Sequence, residues 1–309
     1  MWLDILYVLI GFVLLIKGGD FLVDGAVSIA KRAKISPMVI GLTIVGFGTS
    51  SPELLVSIQA ALSGSSGIAI GNVVGSNIAN IALILGVAAI VKECAAQPLT
   101  LKVDMPFMLL VSGLFVAIAM SGTISRIAGI IGFCILVAFI IWEIKNYPAQ
   151  TQEEDDKEPM AIWKAVIVII LSFAALVFGS DKLVEGASNI ARALGVSDRV
   201  IGLTIVAVGT SLPELFSSVA AAKKGQTDMA IGNVVGSAIF NILCVVGISA
   251  SICPIEGTNV GFLTDYIVMV ALSGLLWFFL STKHTLERWE GVTLVCIYAA
   301  YIACTVIFS

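Results

Sequence analysis

Long apolar runs alternate with short polar breaks along the whole chain. The runs fall at roughly 3–30, 40–62, 68–90, 103–121, 126–146, 160–192, 199–221, 229–250, 262–281 and 289–308. About 18 or more apolar residues can cross a hydrocarbon core about 30 Å thick as one helix. The pattern predicts ten membrane-spanning helices, the first and sixth long enough to tilt. The opening run, MWLDILYVLIGFVLLIKGGD, lacks a basic leader and a small-residue cleavage site, so it reads as a retained span.

Composition supports the same class. The chain of 309 residues is 59% hydrophobic and 12% charged, against about 45–50% and about 25% for soluble domains. A soluble protein this apolar would have nothing to cover its surface with. Net charge is −4, and five of the acids crowd into TQEEDDKEP at 151–159. Nothing suggests a nucleic-acid partner. The cysteines at 94, 134, 244, 253, 296 and 304 show no CxxC spacing and read as small packing residues. His284, the single histidine, lies in the charged turn STKHTLER. A mechanism built on a buried histidine is excluded.

The chain repeats itself. Residues 18–86 align without a gap with 179–247, an offset of 161, and more than half the positions are identical. GLTIVGFGTSSPEL matches GLTIVAVGTSLPEL, and AIGNVVGSNIANI matches AIGNVVGSAIFNI. The reading is two five-helix units, 1–146 and 161–309, joined by a short acidic linker at 147–160. Five is odd, so the second unit enters the membrane from the opposite side. With the N-terminus outside, the inner loops collect Lys31, Arg32, Lys34, Lys92, Lys102, Lys145, Lys157, Lys164, Lys223, Lys224, Lys283 and Arg288. The outer loops hold Arg126, Arg192 and Arg199, which is the asymmetry of the positive-inside rule. Trp142, Tyr147, Trp163 and Trp289 fall near span ends, where aromatic belts sit. Inverted repeats with a site at the midplane between them are a transporter design.

Two glutamates mark where that site would be. Glu53 lies halfway along the second span and Glu214 halfway along the seventh. A charge at that depth costs roughly 2.5–3.5 kcal/mol on insertion scales and normally marks function. Neither span carries a Lys or Arg in its interior to pair with it. Each glutamate follows a proline, Pro52 or Pro213, which breaks the helix and frees a carbonyl, that of Gly48 in the first half. In hydrocarbon a freed carbonyl needs protein, a wet cavity or a bound cation. Thr49 and Ser50 precede Glu53 by four and three residues, on its helix face, and Thr210 and Ser211 do the same for Glu214. The next span adds Asn72, Ser76 and Asn80 in one half and Asn233, Ser237 and Asn241 in the other. For Asn72 and Asn233, ligand support and interhelical hydrogen bonding stand as equal alternatives. Glycines 71, 75, 232 and 236 suggest close helix packing there. Carboxylate, hydroxyl, amide and carbonyl oxygens are hard donors, suited to Ca²⁺ and, by the same argument, Na⁺.

With these blocks the sequence resembles the cation/calcium antiporter superfamily, on the prokaryotic sodium/calcium exchanger side. The resemblance covers essentially the whole chain, and the duplicated GTSxPE and GNxxGSxxxN blocks are highly specific. It implies an all-α integral membrane fold of ten helices in two inverted repeats, with broken helices at the midplane, and alternating-access exchange of Na⁺ for Ca²⁺. Carried over residue by residue, the ligands would be Glu53 and Glu214, the side chains of Thr49, Ser50, Thr210, Ser211, Ser76 and Ser237, and the carbonyls of Gly46 and Ala207. Asn80 and Asn241 would complete the centre. Potassium-dependent relatives carry Asp where this chain has Asn241, so the resemblance implies K⁺-independent transport. Proton-coupled relatives tend to show GNxxE in place of GTSxPE, which leaves Ca²⁺/H⁺ antiport as the alternative. No organic cofactor, nucleic acid or protein partner is implied, and the expectation is a monomer in the cytoplasmic membrane. Asp20, Asp24, Asp181 and Glu185, with Lys17 and Lys182 beside them, read as structural pairs or vestibule charges. Asp104 and Asp265 read as interfacial.

Overall fold

In hydrocarbon every backbone N–H and C=O must be satisfied within the protein, so runs this apolar fold as helices. The computed structural model describes residues 2–147, 158–196, 201, 205, 207–257 and 262–308. The helices are α1 Trp2–Ala33, α2 Pro37–Thr49, α3 Ser51–Leu62, α4 Ser66–Val91, α5 Thr100–Met120 and α6 Arg126–Asn146. They continue as α7 Ile162–Ala193, α8 Leu212–Lys223, α9 Thr227–Ile252, α10 Leu263–Lys283 and α11 Arg288–Phe308. Eight of the described helices are long and apolar enough to cross a membrane. The pair α2 and α3, bent by 46°, makes a ninth span. The predicted seventh span, 199–221, includes residues outside the described ones, as do Lys157, Arg199 and most of the linker.

Close approaches at glycines fix the helix directions. A Cβ on Gly11 would lie 2.7 Å from the Gly179 carbonyl oxygen, and one on Gly186 would lie 2.5 Å from that of Asp4. Position numbers therefore rise along α1 as they fall along α7, so the first helices of the two halves run antiparallel. In contrast, α2 runs parallel to α9: Gly232 meets Met38, and Gly236, one turn on, meets Leu42. The repeat counterparts of Met38 and Leu42, positions 199 and 203, lie outside the described residues, so nothing follows for Gly71 and Gly75.

Burial separates the centre from the lipid face. The most apolar 18-residue window is 94% buried in α9 and 78% buried in α4, against 22–39% in the other spans. Outer helices turn residues such as Leu9, Ile130 and Leu171 outward. Two short antiparallel ribbons close opposite ends of α5. At one end β1 Cys94–Ala95 pairs with β4 Thr285–Leu286, and at the other β2 Thr123–Ile124 pairs with β3 Ile255–Glu256. The end with β1 also gathers Lys224, paired with Asp24 at 2.7 Å, and Arg32, which donates to the carbonyls of Pro159 (2.6 Å) and Met160.

Candidate cation site

The site forms where two interrupted helices face each other. α2 ends at Thr49, Ser50 leaves helical geometry at φ −83°, ψ 7°, and α3 begins at Ser51 with Pro52 in its first turn. Proline fits there because a first-turn N–H has no intrahelical partner to lose. Ser211, at φ −91°, ψ 3°, and Pro213 repeat the break before α8. Pro52 offers no N–H to the Gly48 carbonyl, as the sequence implies. The break is at Ser50, and the Gly46 carbonyl is the shared one. It accepts the Ser50 N–H at 3.1 Å, with Thr49 Oγ1 at 3.4 Å and Ser237 Oγ at 3.5 Å.

Each break places its glutamate in the first turn of the following helix, where the positive end of the helix dipole favours an anion. Glu53 and Glu214 are both 0% exposed. They lie close enough for the charge of Glu214 to bear on Glu53. The two halves cross at this point. Ser50 Oγ donates to Glu214 Oε1 at 3.1 Å, Thr49 also faces Glu214, and Thr210 and Ser76 face Glu53. The π-helical turn Asn241–Val246 of α9 packs on α3, and its counterpart Ala79–Ile84 of α4 packs on α8. Such turns widen the helix locally and recur at functional sites. They carry Asn241 and Asn80 to the centre.

What marks the site is a set of buried polar atoms without partners. Among the described residues, both oxygens of Glu53, Oε2 of Glu214, Oγ of Ser211 and Oδ1 of Asn241 have no hydrogen-bond partner, nor do the two polar side-chain atoms of Asn80. Each such group costs about 1–3 kcal/mol if left so, whereas a cation among them satisfies several oxygens together. Among the described residues no group of three or more His, Cys, Asp and Glu side chains assembles. The donor set is therefore two carboxylates with hydroxyl, amide and carbonyl oxygens, which fits a hard cation. Ala207 opens the helical turn Ala207–Gly209, and no contact of its carbonyl with the centre is among those described.

For Asn72 and Asn233 the two alternatives coincide, because their interhelical bonds reach the backbone of the two glutamates. Asn72 Nδ2 donates to the Glu53 carbonyl at 3.0 Å and to Ser57 Oγ at 2.9 Å. Asn233 Nδ2 reaches the Glu214 carbonyl at 3.5 Å, Ser217 Oγ at 3.0 Å and Ser218 Oγ at 2.8 Å, while its Oδ1 accepts from Thr49 at 3.4 Å. Both asparagines hold the backbone of a glutamate. Sequence reasoning missed Ser57, Ser217 and Ser218, although Ser57 and Ser218 occupy matching repeat positions. It also missed Asn77, whose Oδ1 takes the Asn241 Nδ2 at 3.0 Å and leaves the Asn241 oxygen free to face inward. Asn77 stands opposite Ala238 in the repeat, so symmetry gave no sign of it.

A cavity of about 280 Å³ leads away from the site, lined by Pro52, Ser180, Asp181, Glu185, Gly209 and Thr210 among others. Asp181 and Glu185 line this cavity, and Glu185 also pairs with Lys182 at 2.6 Å. In the other half the partner of Asp24 is Lys224, a lysine from the opposite repeat, in place of the neighbouring Lys17. Asp104 is fully buried within the protein, and Asp265 is half-buried with a bond from Tyr301 at 2.8 Å.

Comparison with known proteins places this geometry. The profile of the family "Sodium/calcium exchanger protein" matches residues 3–145 and 164–307. Sodium/calcium exchanger MaX1 of Methanosarcina acetivorans is 35% identical over 97% of both chains. Inner membrane protein YrbG of Escherichia coli is 34% identical over 92% of this chain and 90% of its own. Among solved structures, the sodium-calcium exchanger NCX_Mj soaked with zero Na⁺ and Ca²⁺ superposes with a TM-score of 0.87 at 34% identity. The match covers 97% of this chain and 98% of that one.

Proposed function

Because the chain belongs to the sodium/calcium exchanger family of cation/calcium antiporters, we propose that it exchanges Na⁺ for Ca²⁺ by alternating access, independently of K⁺. The observation that carries this reading is the cluster of unpartnered buried oxygens around Glu53 and Glu214. Glu53, Glu214, Thr49, Ser50, Thr210, Ser211, Ser76, Ser237, Asn80, Asn241 and the carbonyls of Gly46 and Ala207 are the proposed ligands. Two carboxylates balance one Ca²⁺. The same oxygens outnumber what one ion needs and can serve several Na⁺ ions by turns. Competition for shared ligands then couples the two fluxes.

The cavity beside Thr210 supports access from one side. At the repeat-matched position in the other half, a Cβ on Gly19 would lie 2.7 Å from the Phe216 carbonyl oxygen, so α1 and α8 are in close backbone contact there. We place the two halves at 1–146 and 161–309 around the linker 147–160. We place the N-terminus outside the cytoplasmic membrane and take the monomer as the transporting unit.

The deciding experiment is labelled-Ca²⁺ uptake into proteoliposomes with Na⁺, K⁺ and H⁺ gradients imposed one at a time. Uptake driven by Na⁺ alone supports the proposal, while uptake driven by a pH gradient without Na⁺ replaces it with Ca²⁺/H⁺ antiport. Two variants refine the site. Asn233→Ala removes the brace on the Glu214 backbone and is expected to weaken apparent Ca²⁺ affinity about 10–100-fold, the range for groups that orient metal ligands. An unchanged affinity would show that the backbone of Glu214 is held without it. Asn241→Asp adds a third carboxylate, and flux assays should show stronger cation binding or sensitivity to K⁺. An unaltered ion profile would remove Asn241 from the ligand set.

A further inference from the structure

Outside the ion site, a second pair of buried acids lies at the junction of α5 and α6, near the β1 end. Asp104 and Glu143 are both 0% exposed and face each other within hydrogen-bonding reach. Tyr147 OH donates to Asp104 Oδ2, and Thr100 Oγ1 lies 3.4 Å from Tyr147 OH. That leaves Asp104 Oδ1 and both oxygens of Glu143 with no partner among the described residues. Ionised carboxylates only accept hydrogen bonds, so two of them in contact lack a donor between them. Among the described residues, the groups that face the pair are Thr100 from α5 and Tyr147 just past α6. No lysine or arginine among the described residues is in contact with it. Trp277 of α10, which donates to the neighbouring Leu101 carbonyl at 3.1 Å, carries no charge.

We propose that Asp104 and Glu143 bind one proton between them, forming a proton site separate from the ion site that ties α5 to α6. A carboxyl O–H of one acid then donates to the carboxylate of the other, leaving a single negative charge that the Tyr147 hydroxyl partly satisfies. Removing the proton leaves two like charges in contact, which pushes α5 and α6 apart. The push reaches the transport core, because α6 packs on α9 through Gly129 against Gly247, next to the turn that begins at Asn241. The device belongs to one half only. When Gly129 is matched with Gly291, Thr305 stands where Glu143 falls, so Asp265 has Tyr301 but no second acid.

Infrared spectroscopy of the reconstituted full chain tests this. The protein at neutral pH should show a protonated-carboxyl carbonyl band that both Glu143→Gln and Asp104→Asn abolish and Asp265→Asn leaves in place. Two variants at different positions guard against a single folding failure. In flux assays, raising the pH on the β1 side should slow Ca²⁺ transport by the wild type, and Glu143→Gln should flatten that dependence. A band that survives both variants overturns the proposal. So does a band that is absent in Na⁺ or Ca²⁺ buffer and appears when N-methylglucamine replaces the metal ions, because the pair would then hold a metal cation.

Discussion

Glu53→Gln and Glu214→Gln are each expected to abolish Ca²⁺ transport while leaving a folded, inserted protein. Glutamine keeps the shape of the side chain and its carbonyl oxygen, so packing in the first turns of α3 and α8 is preserved. What it loses is charge. At about 4 Å and an effective dielectric near 20, two unit charges interact by about 4 kcal/mol, and the figure doubles for a divalent ion. With a tenfold change for every 1.4 kcal/mol, even half that loss lowers Ca²⁺ affinity more than a hundredfold. The folded state gains in compensation, because the second carboxylate is no longer held near a like charge in a closed space. In ion-free detergent each variant should therefore melt at or above the wild-type temperature. Labelled-Ca²⁺ uptake and thermal melting, measured on the same preparations, separate the two effects. Normal exchange by either variant would remove that glutamate from the central site.

Much of this architecture was legible in the sequence because its physics is local. The apolar runs demand helices wherever water is absent, and the described spans follow them closely. The opposed directions of α1 and α7 follow from an odd number of helices per repeat. Proline beside a buried acid marks a break, since neither residue is tolerated at that depth without a reason. The exact position of the break was less legible. A proline constrains the turn before it, but which residue leaves helical geometry depends on where the next helix starts, and here that is Ser50, two residues before Pro52. The π-helical turns at Asn80 and Asn241 left no signature, because one extra residue in a turn is set by packing on α8 and α3 from the other half. The supports around the ligands were hidden for a similar reason. Asn77 bears on the site through Asn241, 164 positions away. Glu143, inside the predicted span 126–146, was not singled out because nothing near it in sequence reveals that Asp104 lies opposite.

The seam between α2 and α9 carries both the fold and the site, and Gly236→Val should break it. A Cβ at Gly236 would lie 2.4 Å from the Leu42 carbonyl oxygen and 2.6 Å from Leu42 Cα. Those are backbone atoms, so no rotamer change can make room, and the helices must separate. Overpacking of a core costs about 1–3 kcal/mol when side chains can adjust, and a rigid obstacle puts this variant at or beyond the upper end. The next residue, Ser237, reaches the Gly46 carbonyl, and Asn233, one turn earlier, meets Thr49. Separation thus removes those cross-half contacts as well as packing. Gly236→Val is expected to be recovered in low yield with a lowered melting temperature and no Ca²⁺ flux, while Gly236→Ala folds and transports more weakly than wild type. Gly113→Val on the exposed face of α5, where a Cβ meets nothing within 4 Å, serves as the control and should melt like the parent. If Gly236→Val and Gly113→Val melted alike, α2 and α9 would not be in backbone contact, and the cross-half geometry of the ion site would have to be redrawn.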